Sequence, residues 1–94
     1  MPKIRLNSIP KRNASISWRE FGVDGILFDP GSGDYFEINE VGLTIWKLVD
    51  GQKAIEQIIE ELADHFDADD EDLTKDTAKF VEDLISKGLI SIQV

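Results

Sequence analysis

The sequence predicts a small α+β domain, a three-stranded antiparallel sheet followed by three helices. Three observations predict it. Short runs of alternating apolar and polar residues, the period of a half-buried strand, recur up to Ile38; after Asn39 apolar residues fall three and four apart, the period of a helix face. The connections in the first half are glycine-containing turns too short for a crossover, so neighbouring strands run antiparallel. Gly51 and Gly88 stand just past the ends of helical stripes, where a terminating residue belongs.

Taken in order, Met1 to Asn13 holds two prolines, scattered positive charge and weak alternation, and reads as an extended N-terminal arm, leaving 14–94 as a single domain. Between Ala14 and Phe21, Ile16 and Trp18 alternate with Ser15, Ser17 and Arg19, a half-buried strand. Gly22 to Gly25 is a turn, and Ile26 to Asp29 a short strand. The run from Asp29 to Asp34 is the strongest turn signal, with Pro30 presetting φ. The strand from Tyr35 to Asn39 puts Phe36 and Ile38 on one face, Tyr35 and Glu37 on the other, and Asn39 is a good N-cap. Val41, Ile45 and Leu48, widened by Leu43 and Trp46, form the first helix stripe, ended by Gly51. Ile55, Ile58, Ile59, Leu62 and Phe66 form the second, from about Lys53 to Phe66. Five acids in the six residues 67–72 suit a helix N-terminus, so a third helix starts near Asp70 and runs to about Lys87. The tail from Leu89 to Val94 alternates and adds a short strand. The strand faces need cover from the helix stripes, which gives a winged-helix-like arrangement with the sheet preceding the helices.

Bulk properties exclude several functions. Ninety-four residues make one domain, and no apolar run approaches the ~18 residues of a membrane span. The N-terminus lacks the apolar stretch of a signal peptide, and cysteine is absent, which fits a reducing, cytoplasmic setting and removes disulfides and thiol catalysis. His65 is the only histidine, so neither a metal site nor a Ser-His-Asp triad can be assembled around it, and it reads as a surface helix residue. The acidic run lacks EF-hand spacing, and Gly31-Ser32-Gly33 is too short for a phosphate loop. No catalytic residue, metal ligand or cofactor site is expected; Trp18 and Trp46, each on an apolar face, are expected in the core. The net charge of −9 is uneven: residues 1–33 carry five basic against three acidic residues, and residues 34–94 five against sixteen. Such a helical half repels a phosphate backbone and favours solubility.

Two features point to binding. The strand from Tyr35 is paired on one side by a hairpin; in a simple meander its other side is an edge, with two aromatics and only Glu37 as a charge. An extended peptide can pair there by strand addition. On the third helix, Leu73, Thr77, Ala78, Phe80, Val81, Leu84 and Ile85 spread over roughly 160° of surface. A well-buried helix accounts for that arc, and so does one with a flank lining a groove beside the strand.

An aromatic strand ending in Ile38-Asn39, Gly42 three residues on, then Ile45-Trp46, Leu48, Asp50-Gly51, an isoleucine-rich helix, Asp76, Phe80, Val81, Leu84 and Gly88-Leu89-Ile90 form an ordered set that resembles the PqqD-like family, the RiPP precursor peptide recognition elements, over roughly residues 14 to 92. The resemblance implies three antiparallel strands and three helices, and no catalysis. It implies a non-catalytic peptide chaperone that binds the leader segment of a ribosomally made precursor and presents it to a modifying enzyme, such as a radical SAM protein. The leader would add beside the third strand and pack on the third helix, which carries the peptide-binding role to Tyr35, Phe36, Glu37, Ile38, Thr77, Phe80, Val81 and Leu84. Ile38-Asn39 stands where Leu-Asn is usual, and Thr77 where the family has a branched apolar residue, a more polar groove. Two other classes compete. A winged-helix nucleic-acid binder needs a basic recognition helix, whereas acids outnumber Lys75, Lys79 and Lys87 on this one. Self-association through the exposed strand would give a dimer in place of a monomer.

Overall fold

The computed structural model describes residues 4–67 and 69–93. Its elements are β1 (Ile9–Arg12), β2 (Ser17–Phe21), β3 (Asp24–Asp29), β4 (Asp34–Ile38), α1 (Glu40–Leu48), α2 (Ile55–His65), α3 (Asp70–Ser86) and β5 (Ile90–Gln93). Residues 1–3 of the expected arm, Ala68 of the acidic run and Val94 of the tail lie outside the described residues.

The turns organise the sheet. β2 and β3 are joined by the two residues Gly22 and Val23, with Phe21 opposite Asp24 and Gly22 at φ 61°, the geometry of a hairpin turn that takes glycine first. Between β3 and β4 the Asp29 carboxylate accepts from the Gly31 N–H at 2.9 Å and the Asp29 carbonyl accepts from the Gly33 N–H at 2.7 Å. The result is a three-stranded antiparallel sheet ordered β2-β3-β4. This sheet and the three helices are the α+β, winged-helix-like arrangement expected.

The N-terminal segment is more engaged than an arm. β1 pairs with β5 in a second, two-stranded antiparallel sheet, from Ile9 opposite Gln93 to Arg12 opposite Ile90. Ahead of it, the Ser8 and Leu6 carbonyls accept from the Ile55 and Glu56 N–H groups, each at 2.9 Å. These donors open α2, whose N-cap position is Ala54, a residue with no capping oxygen; backbone from the N-terminal segment supplies the acceptors instead, and Gln57 reaches back to the Ala54 N–H at 2.8 Å. Asn13 ties the end of β1 to the end of α3, donating from its backbone N–H to the Leu89 carbonyl and from its side chain to the Gly88 carbonyl.

The helix termini follow their sequences. The Asn39 side chain accepts from the Gly42 N–H at 2.9 Å and starts α1 within one residue of the end of β4. Past α1, the Asp50 carboxylate accepts from the Gln52 and Lys53 N–H groups, which holds its pKa down at about 2. At the end of α3, Leu89 donates to the Leu84 carbonyl and Gly88, at φ 77°, donates to that of Ile85, the paired bonds of a Schellman motif.

The core lies between the sheet and the helices. Leu27 of the central strand, Ile45 and Trp46 of α1, Ile58 and Leu62 of α2, and Val81 of α3 are all buried. Trp18 departs from expectation: it is half-buried at the edge of this core, because β2 is an outer strand that among the described residues has a neighbour on one side only. The Arg12 guanidinium lies 5.7 Å from its ring and 5.9 Å from that of Trp46, within cation–π range of both.

Candidate functional site

β4 is the edge of its sheet, pairing with β3 alone among the described residues, from Asp29 opposite Asp34 to Gly25 opposite Ile38. In an antiparallel pair every second residue turns its N–H and C=O away from the partner, so the far side of β4 presents unsatisfied groups. Natural edges are commonly blunted by proline, lysine or a bulge; Asp34–Ile38 has none of these and its register with β3 is continuous. The side chains follow the pleat. Phe36 and Ile38 turn toward the core, Ile38 buried and Phe36 half-buried against it. Tyr35 is 70% exposed on the opposite face, 4.7 Å from the Phe28 ring, and Glu37 is exposed beside it.

Where β4 ends, a groove begins. It has a volume of about 610 Å³, and Asn39, Val41, Gly42 and Ile45 line it from the end of β4 and from α1. Opposite stand Asp76, Lys79, Phe80, Glu82, Asp83 and Ser86 of α3. The two helices meet at its floor because residue 42 has no side chain: a Cβ there would stand 2.9 Å from Phe80 Cε1 and 3.2 Å from Ile38 Cβ. Phe80 therefore lies across the first turn of α1, next to the last residue of β4. A second, smaller depression of about 400 Å³ is also bordered by Asn39 and is lined by Phe21, Asp24, Gly25, Ile26, Glu37 and Ile38.

The structure brings together only part of the expected set. Tyr35, Phe36, Glu37 and Ile38 lie on the open strand and Phe80 lines the groove. Thr77, Val81 and Leu84 lie on the adjoining, core-facing flank of α3 and do not line the groove: Thr77 and Val81 are fully buried, and Leu84 is 4% exposed. Asp76, Phe80 and Asp83, at helical spacing, make the groove-facing stripe, with Lys79 beside it. Val41, Gly42, Ile45, Asp76, Lys79 and Asp83 line the groove without having been expected in the site. A signal for Gly42 was present: glycine inside a helix costs about 1 kcal/mol relative to alanine, so its place in an apolar stripe marks a close approach. For the α3 residues no such signal exists, because polar residues beside an apolar stripe look the same whether they border a groove or bulk water.

The groove lining is largely apolar, and its charged residues are Asp76, Glu82 and Asp83 against Lys79. Among the described residues Glu37, Asp76 and Glu82 have no ion-pair partner, and Asp83 is held by Lys87 at 2.9 Å. Among the described residues no group of three or more His, Cys, Asp or Glu is placed to hold a metal ion, and no helix is long and apolar enough to cross a membrane.

Fold and site together define a class: a winged-helix-like α+β domain whose unblocked sheet edge leads into a groove between its first and third helices. The chain belongs to the coenzyme PQQ synthesis protein D (PqqD) family, whose model matches residues 24–90. No curated protein matches it by sequence. Among solved structures it is similar to TbiB1 in complex with the TbiA(beta) leader peptide, at 23% identity and a TM-score of 0.78, covering 86% of this chain and 94% of that one. Lasso peptide synthetase B1 complexed with the leader peptide matches at 19% identity and 0.77, covering 88% and 98%. The PqqD truncation of Methylobacterium extorquens PqqCD, a stand-alone RiPP recognition element solved by NMR, matches at 22% identity and 0.77, covering 94% of both chains.

Proposed function

We propose that this chain is a non-catalytic, cytoplasmic peptide chaperone that binds the leader segment of a ribosomally synthesised precursor peptide and presents it to a modifying enzyme, such as a radical SAM protein. Family membership supports this reading, as does the fold shared with two proteins solved with leader peptides. The observation that carries it is the open edge of β4 leading into the groove between α1 and α3. A leader adds as a strand beside Tyr35, Phe36, Glu37 and Ile38, and its core-facing side chains pass to the Phe80 side of α3. Four backbone hydrogen bonds at about 0.5–1.5 kcal/mol each and two or three apolar anchors at about 1.5–3 kcal/mol each work against an association cost of about 4–15 kcal/mol. Backbone bonds are the same for every sequence, so the anchors set selectivity. Thr77, Val81 and Leu84 act from behind, by holding α3 against the core.

Proline scanning of β4 tests the mode. Proline at Tyr35, Phe36 and Glu37 in turn removes one N–H each, and alternate positions face away from β3. The variants that stay folded by circular dichroism are expected to lose leader binding in an amide-shift titration. Normal binding by every folded variant sinks the proposal. The same edge also supports a second reading, a strand-mediated dimer in place of a monomer; light scattering that shows a dimer displaced by no leader would favour it.

A further inference from the structure

We infer that the leader this chain accepts is basic, carrying Lys or Arg on both sides of an apolar residue seated at the Phe80 end of the groove. The inference rests on the strand-addition reading and concerns what kind of chain fills the slot. The apolar part of the slot is short: Val41, Gly42 and Ile45 on one side and the Phe80 ring on the other. On α3, Asp76 stands one turn before Phe80 and Asp83 nearly one turn after it, with Glu82 alongside, so a side chain resting on the ring has carboxylates on either side. Among the described residues Lys79 is the one cation in this lining, and Lys87 pairs with Asp83 from the next turn, so Asp76 and Glu82 are the carboxylates left without an ion-pair partner.

The strand extends the same pattern. Glu37 is exposed on the outer face of β4 and has no ion-pair partner among the described residues. A residue of an added strand opposite Glu37 is favoured as Lys or Arg, and one opposite Tyr35 as aromatic or β-branched. An acidic leader would bring its charges against Asp76, Glu82 and Glu37; a basic one finds partners in these three.

Selection from a phage-displayed library of random linear peptides tests this. The intact chain is expected to enrich peptides in which Lys or Arg flanks an aromatic or branched apolar residue. The Asp76→Asn, Glu82→Gln, Asp83→Asn triple variant keeps Glu37 and is expected to weaken the basic preference, keep the apolar one, and bind a peptide selected on the unaltered chain about tenfold more weakly. A control with the same change in net charge on α2, Glu56→Gln, Glu60→Gln, Asp64→Asn, is expected to select as the unaltered chain does. Enrichment of acidic or uncharged flanks overturns the inference and leaves strand addition standing. So does a basic preference that survives undiminished in the groove variant or disappears in the control. Enrichment no greater than with the folded β4 proline variants overturns both.

Discussion

Phe80 and Val81 are neighbours in sequence, and the 100° turn between them separates their roles: the Val81 side chain is fully buried, while the Phe80 ring lies across Gly42 and forms a wall of the groove. Because Phe80 is only half-buried, Phe80→Ala is expected to cost about 1–2 kcal/mol of stability, less than the ~3–5 kcal/mol of a fully buried phenylalanine, and to weaken leader binding at least about tenfold. Thermal melting and peptide titration read the two effects separately. Thr77 makes the complementary case. It is fully buried, and its hydroxyl has no hydrogen-bond partner among the described residues. An unsatisfied buried hydroxyl is destabilising, so Thr77→Val is expected to raise stability by about 1 kcal/mol, read as a higher denaturation midpoint. Leader affinity should be unchanged, since the residue is buried in the core and does not line the groove. A large change in affinity would put Thr77 back among the contact residues.

Among the elements, the N-terminal segment does the least expected work. Its carbonyls cap α2, its strand β1 pairs with β5, and Asn13 clamps the C-terminus of α3. Removing residues 1–13 exposes the first N–H groups of α2 and leaves β5 without a partner strand. Caps contribute about 1 kcal/mol each and the ladder more, so the truncated chain is expected to lose at least about 3 kcal/mol, measured by chemical denaturation. A truncated chain with the stability of the whole would show that 14–94 stands alone. β4 shows the opposite economy: with β3 on one side and α1 starting at once after Asn39, it is held firmly without a second strand neighbour.

For the whole molecule, charge excludes partners that shape alone would admit. Winged-helix folds also bind nucleic acid, through a basic helix in the major groove. Here the third helix carries Asp76, Glu82 and Asp83 into the groove, on a chain of net charge −9. Duplex DNA is therefore expected to show no binding even at low salt, where electrostatic attraction would be strongest; fluorescence anisotropy with labelled duplex checks this. Tight binding would return the nucleic-acid reading.

Local chemistry made the elements legible: alternation ending at Asn39, the N-cap there, the stripes through Ile45 and Ile58, and the stop at Gly88 each act over a few residues, and the fold class follows from their order. The unpaired edge of β4 was legible for the same reason, since a short hairpin can occupy one side of a strand and leaves the other free. Which flank of α3 meets the groove was not. Leu73, Thr77, Phe80, Val81 and Leu84 lie on one broad arc, and periodicity cannot say where the core ends on it. That boundary depends on the crossing of α3 over Gly42, a contact between residues thirty-eight apart that exists only once both helices are packed. The capping of α2 by Leu6 and Ser8 is of the same kind: backbone carbonyls carry no sequence signature, so a segment that supplies them reads as an idle arm until the chain is folded.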